Sequence, residues 1–149
     1  MRSPLAENMF RQMADEAGVG KAYDVDSAGT AAYHIGDSPD SRMREVAAAR
    51  GLVYDGSGRQ FSIQDFYDFD LIVPMDSSNY SDIVALASKP EHKAKVRMMR
   101  EFDPQAGADD SVPDPYYGGI DGFEKVYDIV ERSSAELLAR LERKEIANS

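Results

Sequence analysis

Apolar positions along this chain recur at two spacings, and the spacing switches several times. Leu5, Met9, Met13 and Ala17 fall at every fourth residue behind Ser3 and Pro4. That predicts a helix capped by Ser3, with Pro4 at its first helical position and Gly18 and Gly20 ending it. A second helix is predicted to start at Ser38-Pro39, to bury Met43, Val46 and Ala47, and to stop at Gly51. Ser62 through Asp65 has the S-x-x-D form of a short helix start. Asp76 is predicted to cap another helix, whose apolar face is Tyr80, Ile83, Val84 and Ala87. The longest periodic run carries Phe123, Val126, Tyr127, Val130, Leu137, Leu138 and Leu141.

Strand-like runs lie between these helices. Tyr23 to Ser27 alternates, Leu71-Ile72-Val73 is continuously apolar, and Val96 to Met99 is a weaker candidate. Alternating strands and helices predict parallel pairing through right-handed crossovers, hence an α/β fold with a doubly wound, mostly parallel sheet flanked by helices. Three strands are visible, and the first helix has none before it. Residues 102–119 form a long Asp-, Pro- and Gly-rich stretch without a strong period, a length that in compact domains is either functional or disordered.

Composition narrows the function. The 149 residues suit a single domain, and 42% hydrophobic with 30% charged residues is ordinary for a globular protein. No run approaches the roughly 18 apolar residues of a membrane span, and no signal-peptide core is visible, so the expected address is the cytoplasm with no membrane partner. A net charge of −10 argues against nucleic acid as a partner. The methionines on helix faces read as core, and Lys93 through Arg100 reads as a solvated basic face. His34 and His92 are distant and lack convergent partners, so no metal site and no cofactor are expected. The cysteine count is zero, which excludes disulfides and any cysteine nucleophile within these residues.

Two stretches carry candidate chemistry. Arg2-Ser3-Pro4 puts a guanidinium at a helix N-terminus, where the dipole, the unpaired N–H groups and the planar fork favour phosphate. Alone, the tripeptide is weak evidence, since Arg before Ser-Pro is more often a plain helix start with a solvated charge. SVPDPYYGGIDGFE, from Ser111 to Glu124, holds Asp114 between two prolines that stiffen the backbone, followed by Tyr116 and Tyr117. It is either a turn-rich surface loop or a general acid held above an aromatic pocket.

With RSPLAENMF, VDSAGTAAYHIGDSPDSR, GRQFSIQDFYDFDLIVPMDSSN and above all DPYYGGIDGFEKVYD, the chain resembles the low-molecular-weight protein tyrosine phosphatases over essentially its whole length. The resemblance implies a four-stranded parallel sheet and a C-x5-R-[ST] loop, whose Cys thiolate attacks phosphotyrosine to form a cysteinyl phosphate. By position, Arg2 matches the loop arginine, Ser3 the hydroxyl that lowers the thiolate pKa, and Asp114 the general acid. Tyr33, Tyr116 and Tyr117 match the walls of the cleft, and Ser27 and Asn79 the hydrogen-bonding shell of the loop. The implied partners are a phosphotyrosine protein or a small aryl phosphate, with inorganic phosphate as product.

The departures are equally specific. Met1 falls at the loop's last variable position, so the expectation is a single domain, 1–149, truncated at its N-terminus: it lacks the first strand and the Cys, folds poorly alone and is inactive. Gly56-Ser57-Gly58 stands where many members carry a His before the Arg-Gln pair, here Arg59-Gln60. A catalytically dead phosphate-binding module remains open. Arsenate reductases share the fold but need several cysteines. A receiver-type signalling domain needs an acidic pair and a Lys that are not found here.

Overall fold

In a computed structural model, the described residues are 2–29, 41–52, 59–108, 111–113 and 119–144. Six helices punctuate them: α1 Arg2–Glu16, α2 Ser41–Ala49, α3 Asp65–Asp68, α4 Ser77–Leu86, α5 Pro90–Ala94 and α6 Gly119–Glu142. A 3₁₀ turn at Met99–Phe102 precedes the segment that leads to α6.

The two glycine stops work as expected. Val19 N–H donates to the Ala14 carbonyl at 2.9 Å, and Gly18 N–H to Asp15 at 3.0 Å. Leu52 and Gly51 repeat that pair of bonds onto Ala47 and Ala48 at 2.9 and 3.1 Å. These are Schellman ends, which need a left-handed residue, and Gly18 and Gly51 both sit at φ +77°. Asp76 caps α4 through a 2.7 Å bond from Asn79 N–H to its Oδ1. Asp65 reaches back to Ser62 N–H at 2.9 Å, as the S-x-x-D pattern implies, although α3 itself begins only at Asp65. The start of α1 is corrected: the helix begins at Arg2, so Ser3 lies inside its first turn and is not its cap.

Helix α6 is the spine of the core. Its N-terminal half buries Phe123, Val126, Tyr127 and Val130 against Leu5 and Met9 of α1 and Met43, Val46 and Ala47 of α2. Its C-terminal half puts Leu137 and Leu141 against Phe10, Ala14 and Phe102. Each such side chain contributes about 1.5–3 kcal/mol on leaving water, which is why the helical period was visible in the sequence. A third, smaller cluster joins Phe66, Ile72, Ile83 and Val96. From the predicted face of α4 Ile83 is buried in that cluster, Val84 and Ala87 pack half-buried against it, and Tyr80 stays 38% exposed.

The sheet is where the expectation thins most. Among the described residues the extended segments form only two isolated parallel bridges, Gly29–Gln60 and Ile72–Val96. The second has the bonding of a ladder: Ile72 N–H to Lys95 O and Arg97 N–H to Ile72 O at 2.9 Å each, then Met99 N–H to Pro74 O at 2.9 Å. The next donor in register belongs to Pro74, which has no N–H, so the ladder stops. No backbone hydrogen bond among the described residues joins 23–29 to 71–75, yet Val25, Leu71 and Val73 pack half-buried on one hydrophobic cluster. The Tyr23–Ser27 run is thus extended chain over a core without being a strand.

The Lys93–Arg100 stretch is also corrected. Lys95 Nζ donates to the Phe66 and Phe69 carbonyls at 2.6 and 3.1 Å, closing the end of α3. Arg100 is buried. Neither side chain is part of a solvated face.

Two predictions follow from the packing around α6. Ser133 and Ser134 are fully buried with unpaired hydroxyls. Replacing either with Ala is expected to stabilise the protein by about 1 kcal/mol, a rise of roughly 3 °C in Tm by calorimetry. Tyr23 donates to Glu142 at 2.5 Å, and burial followed by that carboxylate pushes its hydroxyl up to about 12. A raised acid binds its proton more tightly in the folded state, so this contribution holds below the ordinary value near 10 and fades as pH climbs from there towards 12. Melting curves across that window are expected to lose stability more steeply in the wild type than in Tyr23→Phe.

Candidate functional site

The start of α1, the start of α4 and residues 111–113 meet at one guanidinium. Arg2 Nη1 donates to the Val112 carbonyl at 2.6 Å, and Nη2 pairs with Asp76 Oδ2 at 2.8 Å. The other oxygen of Asp76 is the α4 cap, so one carboxylate ties Arg2 to the helix behind it. Both side chains are largely out of solvent, at 16% and 24% exposure. The Val112 peptide is held from its other side as well: its N–H donates to Met75 O at 2.7 Å. Ser77 N–H adds a 3.1 Å bond to Ser111 Oγ.

Of the anticipated residues, Arg2, Ser3 and Asn79 come together here, with Ser3 half-buried beside Arg2 and Asn79 contributing its backbone N–H to Asp76. Ser27 is placed one step away. Its hydroxyl donates to Glu7 Oε1 at 2.6 Å, on the flank of α1, while Arg11 holds the other Glu7 oxygen and the Val25 carbonyl. The Ser27 segment is pinned from its far side by Arg59, which forks onto Asp65 at 3.0 and 3.1 Å and reaches Asp26 at 2.9 Å. Tyr33, Asp114, Tyr116 and Tyr117 lie outside the described residues.

Sequence reasoning missed Asp76 as the partner of Arg2, and Glu7 as the partner of Ser27. A capping Asp leaves one oxygen over, but no local signal says that a residue 74 positions away will use it. Chemically, the arrangement fixes a permanently charged fork at a helix N-terminus. Two of its five N–H donors are spent on the scaffold and the others remain to meet an anion.

Residues 1–147 match the family described as low molecular weight phosphotyrosine protein phosphatase. The chain belongs to that family. A Synechocystis protein carrying the same family name is 46% identical over 147 residues, covering 99% of this chain and 92% of that one. A low molecular weight protein-tyrosine-phosphatase of Streptomyces coelicolor is 44% identical over 93% of this chain and 85% of its own. Among solved structures, a protein tyrosine phosphatase from Entamoeba histolytica with HEPES in its active site superposes with a TM-score of 0.91 at 38% identity, over 97% of this chain and 91% of that one.

The phosphatase fold of these neighbours is therefore the fold of this chain, although its described residues show mostly helix. The match begins at residue 1 and does not bear out the expectation of a missing N-terminal portion. Among the described residues no helix is long and apolar enough to cross a membrane.

In this phosphatase-family chain the double use of Asp76 is testable. Asp76→Ala removes both the cap and the Arg2 pair and is expected to cost roughly 2 kcal/mol. Asp76→Asn keeps a capping oxygen and is expected to lose about half of that, as read from urea midpoints.

Proposed function

We propose that Arg2 and the loop entered at Val112 are the two halves of a phosphotyrosine site. Arg2 grips the phosphoryl oxygens, and Asp114 protonates the departing tyrosine oxygen. The observation that carries the reading is the 2.6 Å contact of Arg2 with the Val112 carbonyl, two residues before Asp114, which joins the anion clamp to the start of the acid loop. Phosphoryl transfer asks mostly for positioned positive charge, and a helix-end guanidinium supplies it.

In the family mechanism a thiolate forms the S–P bond as the P–O bond to tyrosine breaks, with the Asp114 proton going to that oxygen. Water then attacks the phosphorus and gives a proton to the Asp114 carboxylate as the S–P bond breaks, which returns the thiolate and releases inorganic phosphate. These 149 residues contain no cysteine. The chain as it stands therefore binds phosphate and phosphotyrosine without turning them over. A thiol supplied in the C-x5-R register ahead of Arg2 makes the site hydrolytic.

The same absence of cysteine favours a second reading, a pseudo-phosphatase that only binds. Para-nitrophenyl phosphate hydrolysis is expected to stay at background for the 149 residues. Inorganic phosphate binding, followed by NMR, is expected to weaken about tenfold or more in Arg2→Met. Fusing a strand and a C-x5 segment ahead of Arg2 is expected to restore turnover, which Asp114→Ala then lowers by roughly a hundredfold. A fused protein that folds, binds phosphate and stays inert would establish the binding-only reading. Phosphate binding indifferent to Arg2 would remove both.

A further inference from the structure

Residues 111–113 are the stem through which the chain enters the loop of Asp114, and their backbone is held from several directions. Val112 is bonded at its N–H by Met75 and at its carbonyl by Arg2. The remaining fixed point is the Ser111 carbonyl, which accepts a 2.9 Å bond from Arg100 Nη1. Arg100 is only 7% exposed and stands on the 3₁₀ turn Met99–Phe102.

Its own position is fixed from below. Arg100 Nε lies 3.0 Å from Asp103 Oδ2, and the Asp103 side chain is fully buried. Arg132 of α6 grips the same carboxylate through two bonds, 2.9 Å from Nε and 3.1 Å from Nη2. Gln105 N–H adds a 2.9 Å bond to Oδ1. Burial pushes the Asp103 carboxyl up, but these donors and the paired guanidinia outweigh it and hold it below the ordinary range. Asp103 thus stays charged beside the Arg100 guanidinium, which it meets as an ion pair without a hydrogen bond at Nε.

We infer that Arg100 is a positioning residue for the proposed general acid: it locks the Ser111–Pro113 stem to the buried Asp103–Arg132 pair and so sets where Asp114 enters the site. This rests on the phosphotyrosine reading given above for the role of Asp114, but the lock itself does not. The guanidinium donates to a carbonyl at Nη1 while its delocalised charge lies against a carboxylate in another direction. A lysine in its place keeps the charge but offers one point in place of a fork. Removing Arg100 leaves Asp103 with both bonds from Arg132, so the protein is expected to fold without it.

The test uses the 149-residue chain, Arg100→Met and Arg100→Lys. Amide exchange is read at Val112, with Val126 and Val130 of α6 as internal controls. Arg100→Met is expected to lower Val112 protection about tenfold or more while the α6 amides hold, and Arg100→Lys to restore little of it. A second readout is para-nitrophenyl phosphate turnover by the protein carrying the fused C-x5 segment, which is expected to fall in Arg100→Lys as well as in Arg100→Met. An effect of charge alone would leave the lysine variant at the wild-type turnover. Unchanged Val112 protection in Arg100→Met, or a loss shared equally by α6, would overturn the lock. Turnover of the fused protein that is unchanged in Asp114→Ala would instead sink the proposed role of Asp114, while the Val112 result still decides the lock.

Discussion

A single peptide unit, Val112, is the joint on which the architecture turns. Its N–H faces Met75 at the end of one extended segment, and its C=O faces the first residue of α1. A buried peptide cannot leave either group unpaired without a penalty of about 1–3 kcal/mol, so both partners are constrained by ordinary backbone chemistry before any catalytic requirement is added. Val112 itself is fully buried in the largest cluster, which fixes the peptide plane from a third direction. Because Arg2 supplies one of those partners, the position of the guanidinium is an outcome of packing as much as of charge.

Much of the molecule could be read from residue patterns, for identifiable reasons. The Gly18 and Gly51 stops were legible because a Schellman end needs a left-handed residue, which is a local demand. The Asp76 cap and the buried stripe of α6 were legible because capping and amphipathicity are also local. The strands were not. Tyr23–Ser27 and Leu71–Val73 have strand composition, but pairing is a tertiary matter, and Pro74 removes the donor that would have carried the Ile72–Val96 bridge into a ladder. Arg100 failed for the reverse reason: within a run of lysines and arginines nothing local distinguishes a solvated cation from one whose carboxylate partner is buried nearby. At the candidate site, a helix start near Arg2 and Ser3 was legible because such a start is a short motif, while its phosphate role rests on the proposal. Asp76 as the brace of Arg2 was not, since that pairing spans 74 positions. The role given to Tyr33 came from resemblance alone, and for Asp114, Tyr116 and Tyr117 resemblance chose between two readings that the residues left open.

Membership of the phosphatase family and the absence of cysteine pull in different directions, and the geometry helps to separate them. Binding an oxyanion requires donors and positive charge; breaking its P–O bond by the family route requires a thiolate in addition. On the proposed reading the first requirement falls to Arg2, which Asp76 and Val112 hold in place. The polar surroundings of α1 are likewise closed by this chain's own means. Glu7 is satisfied by Ser27 and Arg11.

The ion pair between Arg2 and Asp76 at first sight works against a phosphate site, since an aspartate beside the clamp cancels charge that the ligand needs. The cancellation is incomplete for a structural reason. Oδ1 of Asp76 faces the N-terminus of α4, where Asn79 N–H and the helix dipole already offset much of its negative charge. What Asp76 chiefly supplies to Arg2 is direction: with Nη1 fixed on Val112 and Nη2 on Oδ2, the guanidinium plane is set and its rotamer entropy is already lost in the folded chain. On the proposed reading, an approaching phosphate dianion meets donors that need little reorganisation, which is the condition under which a few hydrogen bonds carry useful binding energy. The same brace that weakens the bare charge of Arg2 is what makes its geometry fit for an anion.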